Sequence, residues 1–186
     1  MIGVGVARKL TIIFALAALL PSAGPHSSEG LDRKAHAFEL EDINPLSETH
    51  GKRLALDDLH AEHGVILNFI ASWCKPCWME IPQLEILDRE GPLPVIYVAA
   101  DEYGPTSDLI RLAGNAKATC PILHVPRTSI ETMEQHYDHG MLPATYVLDR
   151  EGRILRVYQG QLNEQDLLEL RNWKDTAPAT RHSASK

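Results

Sequence analysis

The sequence predicts one α/β domain, in which strands alternate with helices, on three observations. The run GVILNFIAS at residues 64–72 is continuously apolar and bounded by Gly64, the pattern of a central strand buried on both faces. An amphipathic stretch over residues 75–89 follows it at once and reads as a helix. Near the C-terminus, ATYVLDREGRILRVYQG at residues 144–160 sets two β-rich runs around a turn at 150–152, a hairpin.

The remaining elements follow in order. HAFELEDI (36–43) and GKRLALDDL (51–59) predict two short strands, with Asp57 or Asp58 opening a brief helix. After the helix at 75–89 comes the strand PVIYVAAD (94–101), then helices over 106–112 and 129–137. A last helix starts with Asn163 as cap and Asp166 three residues on. It should turn Leu167, Leu168, Leu170 and Trp173 inward and stop before Pro178. The domain therefore occupies residues 36–174, with a linker at 25–35 and a polar, mobile tail at 175–186.

Residues 1–24 have a different composition. Arg8 and Lys9 precede an apolar run of eleven residues (10–20), and small and polar residues follow. This is the layout of a secretory signal, and the run is short for a membrane span of about 20 residues. A cut after Ala23 would place Pro21 three residues before it, and a cut after Gly24 would place Pro25 directly behind it. The segment is read as a signal peptide or membrane anchor. No lipobox-like cysteine follows the run, so lipid anchoring has no support in the sequence. The folded part is expected in a periplasmic or other extracytoplasmic, oxidising compartment.

Composition removes several classes of function. A chain of 186 residues can bury a core without staples, and three cysteines are too few for a disulfide scaffold. The net charge is −7 and no basic run exceeds a pair, which argues against nucleic acid as a partner.

Two of the cysteines stand in SWCKPCWMEIPQL (72–84), between the predicted central strand and its helix. Cys74 then sits at the helix N-terminus, where unpaired N–H groups favour a negative charge. A thiolate is such a charge, so Cys74 is expected to be the exposed attacking sulfur. Pro76 suits a first helical turn. Cys77, Ile81, Leu84 and Leu87 share one helical face, so Cys77 should point to the core as the resolving thiol. A structural disulfide closing so short a loop stabilises little. Zinc would want a second cysteine pair or paired histidines at ligand spacing. A copper-binding or delivery module could use both sulfurs with His124, His136 or His139. Redox chemistry is the favoured reading.

These motifs resemble the thioredoxin fold. WCKPC followed by Pro82 resembles its active site, and MLPATYVLDREGRI (141–154) resembles its second signature, in which a cis proline faces the disulfide. The resemblance covers about residues 36–173. It implies a thioredoxin-like fold, a central mixed sheet flanked by helices, and a cis bond before Pro143. Thioredoxin has an aspartate six residues before its first cysteine, where this chain has Asn68. With the run NF…SWC, Glu80 and the extra N-terminal strands, the closer likeness is to the TlpA/ResA-like exported reductases. That branch includes proteins serving cytochrome c maturation and copper-site assembly. It implies exported, disulfide-bearing substrates such as apo-cytochrome c or copper-site proteins, and a membrane thiol as electron donor. No cofactor is implied beyond the redox-active Cys74–Cys77 disulfide. Trp73 and Leu142 fall at substrate-contacting positions. Trp78 and Met79 stand where relatives often carry basic residues.

Glu80 lies one helical turn from Cys77, close enough to exchange a proton with it, and burial would raise its pKa. Asn68 is a neutral polar group beneath the site. Cys120 is expected to be buried and free. His36, His50, His60 and His63 are expected on the surface, with His124 and His139 kept as accessory groups.

Overall fold

The structure is a computed structural model that describes residues 27–29, 33–137 and 140–174. Along the chain its elements are β1 (Ser27–Glu29), β2 (Glu39–Asp42), β3 (Arg53–Ala55), α1 (Leu56–His60), β4 (Val65–Ile70), α2 (Lys75–Glu90) and β5 (Val95–Ala99). They continue with α3 (Thr106–Ala116), β6 (Ile122–His124), a 3-10 turn at Arg127–Ser129, α4 (Ile130–His136), β7 (Ala144–Leu148), β8 (Ile154–Gln159) and α5 (Glu164–Arg171). The sequence-predicted signal or anchor (1–24) and tail (175–186) lie outside the described residues, as do parts of the linker. Among the described residues, no helix is long and apolar enough to cross a membrane.

One mixed sheet of eight strands runs in the order β1-β8-β7-β4-β5-β6-β2-β3. β4, β5 and β6 are mutually parallel, and β7 returns antiparallel on the other side of β4. β4 is central and buried at every residue, which is why its sequence lacks alternation. The hairpin β7–β8 extends one edge, and β2 and β3 extend the other by pairing antiparallel beside β6.

Helices cover both faces. On one, the α2 stripe Cys77, Ile81, Leu84 and Leu87 packs with Ile66, Ile70 and Tyr97 of the sheet and Leu170 of α5. Each such aliphatic side chain, fully buried, contributes about 1.5–3 kcal/mol. On the other face Phe69, Tyr137 and Tyr146 form an aromatic group with ring centroids 5.0–5.6 Å apart. Asn163 caps α5 by accepting from the N–H groups of Gln165 and Asp166, and the Asp166 carboxylate returns a bond to the Asn163 N–H.

The structure differs from the sequence reading at several points. Part of the predicted linker is β1, which pairs with β8, and β6 was not anticipated. Three residues are too few to show a period of two; pairing with neighbours makes them strands. α1 starts at Leu56 after Ala55, so Asp57 and Asp58 sit within its first turn. Leu168 is exposed, because α5 turns Leu170 fully inward and Leu167 only partly. His60 is buried and not a surface residue: its Nδ1 lies 2.9 Å from the Arg150 carbonyl oxygen. Gly152, at φ 75°, packs so close to that ring that a Cβ would meet Nε2 at 2.8 Å.

Candidate active site

The end of β4 delivers Ala71, Ser72 and Trp73 to the start of α2, where Cys74 is the N-cap. Cys74 and Cys77 are joined in a disulfide, with Cα atoms 5.4 Å apart. The Cys77 N–H donates to Cys74 Sγ at 3.3 Å. A helix-terminal N–H thus points at the first sulfur, the arrangement that favours charge there. Contrary to the expectation of an exposed nucleophile, Cys74 is only 3% exposed and Cys77 is fully buried. Both belong to the core cluster that includes Ile70 and Ala71, against which the half-buried Leu142 and Trp78 pack. What separates the two sulfurs is therefore position along the helix end rather than exposure.

Trp73 is the exposed aromatic beside the disulfide, 57% accessible, whereas Trp78 turns back and donates Nε1–H to the Ala71 carbonyl at 3.0 Å. The Leu142–Pro143 peptide is cis. The Pro143 carbonyl accepts from Gly160 N–H at 2.8 Å, tying the loop before β7 to the end of β8. Met141, two residues before Pro143, is exposed.

Beneath the sulfurs, Glu80 is buried at 3% exposure. Its Oε1 accepts from Asn68 Nδ2 at 2.9 Å and its Oε2 from the Leu162 N–H at 3.1 Å. Burial raises its pKa to about 7, with the two donors pulling the other way. A carboxyl group that titrates near neutrality one turn from Cys77 can take up or give a proton at working pH.

The profile of the AhpC/TSA family matches residues 31–176. This chain belongs to that family. Within it the chain is ResA-like and thioredoxin-folded. The thiol-disulfide oxidoreductase ResA of Bacillus subtilis is 32% identical over 143 residues, which cover 76% of this chain and 74% of that one. The thioredoxin-like protein YneN of the same species is 30% identical over 125 residues, covering 66% and 71%. Among solved structures, a secreted thiol-disulfide isomerase from Corynebacterium glutamicum superimposes with a TM-score of 0.62 at 19% identity, covering 81% of this chain and 92% of that one. StoA from Bacillus subtilis gives 0.57 at 21%, covering 73% and 96%. At these identities the solved structures speak for the fold. The ResA-like chain is a thiol:disulfide oxidoreductase.

Of the histidines considered as accessory ligands in this ResA-like chain, His124 is half-buried at the end of β6 and His139 lies outside the described residues. His136 closes α4, its ring stacked on His36 with centroids 3.8 Å apart. Among the described residues, no three His, Cys, Asp or Glu side chains converge as metal ligands. Cys120 is buried and free, as expected.

Asp101 was missed. Its carboxylate accepts from Ser72 N–H at 2.8 Å, Gly104 N–H at 2.7 Å and Tyr103 N–H at 3.2 Å, clamping the loop before Trp73 to the loop after β5. Burial alone would raise this carboxyl; the donors outweigh it and hold the pKa below its ordinary value. Gly104 packs closely there: a Cβ would press on the Ser72 hydroxyl and meet Asp101 Oδ2 at 2.7 Å, so both side chains would have to shift. The signal available was an aspartate just after an apolar strand, three residues before a glycine. Thr145, on β7, also reaches the site through Asn68.

Proposed function

We propose that the chain reduces disulfides in exported proteins, with Cys74 as nucleophile, Cys77 as resolving thiol and Glu80 as the group that handles the Cys77 proton. The observation that carries this reading is the Cys74–Cys77 disulfide at the N-terminus of α2, with the buried Glu80 carboxyl one turn beyond Cys77. In the reduced protein the Cys74 thiolate attacks a substrate disulfide, forming a mixed disulfide and expelling one substrate thiolate. The Cys77 thiol passes its proton to Glu80. The Cys77 thiolate then attacks Cys74 Sγ, closing the Cys74–Cys77 disulfide and releasing the second substrate thiolate. Two electrons pass to the substrate, and a membrane thiol donor returns them.

Exposed Trp73, next to Cys74, and exposed Met141, next to Leu142, support docking of an apolar segment, with Leu142 and Pro143 as the edge it meets. Apo-cytochrome c and copper-site proteins are the substrates the family likeness favours. The sequence of residues 1–24 supports an extracytoplasmic location, reached by a signal peptide or held by an anchor.

Trapping tests the roles of the sulfurs. Cys77→Ala should accumulate mixed disulfides with exported partners, seen as bands that vanish on reduction, and Cys74→Ala should trap far fewer. Equal trapping by both variants, or none by either, would overturn the assignment. For Glu80, alkylation rates of the reduced thiols across pH should change shape in Glu80→Gln; superimposable profiles would remove it from the mechanism.

A further inference from the structure

The pairing register sets Tyr97, Asn68, Thr145 and Tyr158 in one row across β5, β4, β7 and β8. The row lies on the sheet face beneath α2, where Tyr97 and Tyr158 share the core with Cys74 and Cys77. Asn68 and Thr145 are fully buried at its centre. The Asn68 amide nitrogen gives one hydrogen to Glu80 Oε1 and the other to Thr145 Oγ1, both at 2.9 Å. Its carbonyl oxygen Oδ1 is buried without a hydrogen-bond partner.

That orphan oxygen is informative. A buried amide acceptor without a donor is unfavourable, so the amide holds this orientation because the opposite one is worse. Turned by 180°, Asn68 would set Oδ1 against a carboxylate oxygen and would leave two N–H groups in the place now held by one unpaired oxygen. Thr145 holds the amide in this orientation at its other hydrogen, its hydroxyl accepting from Nδ2.

We propose that Asn68, locked by Thr145, is a positioning residue that aims an N–H at Glu80 and, with the Leu162 N–H, keeps Glu80 a carboxylate ready to receive the Cys77 proton. The inference rests on the reading of Glu80 given above. It explains why an amide serves at position 68 where a leucine would pack as well, and why a hydroxyl is set opposite it. The groups facing Glu80 are Asn68 from β4, Tyr97 from β5, the Leu162 N–H from the segment before α5, and Cys77 from its own helix. Tyr97 gives its hydroxyl hydrogen to Glu85 at 3.1 Å, so it does not compete for Glu80.

The test is a carbon-13 NMR titration of the glutamate carboxyls in the full-length reduced protein, with the Glu80 signal assigned by its loss in Glu80→Gln. The parent midpoint should lie near 7. In Thr145→Val, which keeps the shape and removes the acceptor, and in Asn68→Leu, it should rise by about one unit, the scale of one lost hydrogen bond to a charge. Thr145→Ser should restore the parent midpoint. A merely structural role would lower the melting temperature and leave the midpoint in place. If Asn68→Leu does not fold, the Thr145 pair decides. An unmoved midpoint in Thr145→Val, or an equal rise in Thr145→Val and Thr145→Ser, overturns the inference and leaves the Glu80 reading intact. Failure of that reading shows separately, as thiol profiles unaltered by Glu80→Gln.

Discussion

Replacing Glu85 by glutamine should cost stability without touching the redox centre. Glu85 lies eight residues beyond Cys77 on α2, about 12 Å along the helix axis. Its buried carboxylate accepts from Tyr97 Oη–H at 3.1 Å, Thr119 N–H at 2.9 Å, the Thr119 hydroxyl and Cys120 N–H at 3.2 Å. It thereby fastens α2 to β5 and to the segment before β6. Burial raises the carboxyl pKa, but the Thr119 and Cys120 donors outweigh this and hold it below the ordinary 4.5. A glutamine keeps one acceptor oxygen and turns an NH₂ group against the donors that faced the other. Hydrogen bonds to a charged acceptor contribute about 1.5–3 kcal/mol, and an unmet buried donor costs about 1–3 kcal/mol. Because these contributions overlap, the expected loss is about 2–4 kcal/mol at pH 7. Urea denaturation of parent and variant measures it. The folded pKa lies below the unfolded one, so this stabilisation is fully present above about pH 5. It disappears as pH falls through 4.5 and then through the folded value, and the gap between parent and Glu85→Gln should shrink over that range. A difference under about 0.5 kcal/mol at pH 7, or a gap undiminished at about pH 3, would refute the account.

Two further outcomes follow from the geometry. Cys120 should resist alkylation in the native protein and react quickly once urea unfolds it, since burial first, and then Glu85 and Asp88, push its thiol far up; labelling followed by mass spectrometry checks this, and rapid native labelling would count against the placement. Gly104→Ala should slow disulfide reduction of a peptide substrate several-fold while leaving most of the fold stable, because the added Cβ pushes apart Ser72 and Asp101, the pair that sets the loop before Trp73; an unchanged rate would mean the clamp does not position the site.

Features encoded within a turn or two of chain were legible beforehand. The helix starting after Cys74, its stripe of Cys77, Ile81, Leu84 and Leu87, the Asn163–Asp166 capping box and the β7–β8 hairpin all rest on local spacing. The cis bond at Pro143 was implied by the resemblance of its contiguous motif to the thioredoxin fold, not by spacing. Other features required segments far apart to meet. The Glu80 environment depends on Asn68 twelve residues away and on Leu162 eighty-two residues away. The loop before Trp73 is held by Asp101, twenty-nine residues from its partner Ser72. His60 is buried because the turn at Gly152 closes over its ring, and Cys74 is covered by neighbours that no helical pattern names. Periodicity states which face of an element turns from water. How far a carboxyl or thiol is desolvated, and which donors compensate it, depends on groups from other elements, so only the tertiary structure decided it.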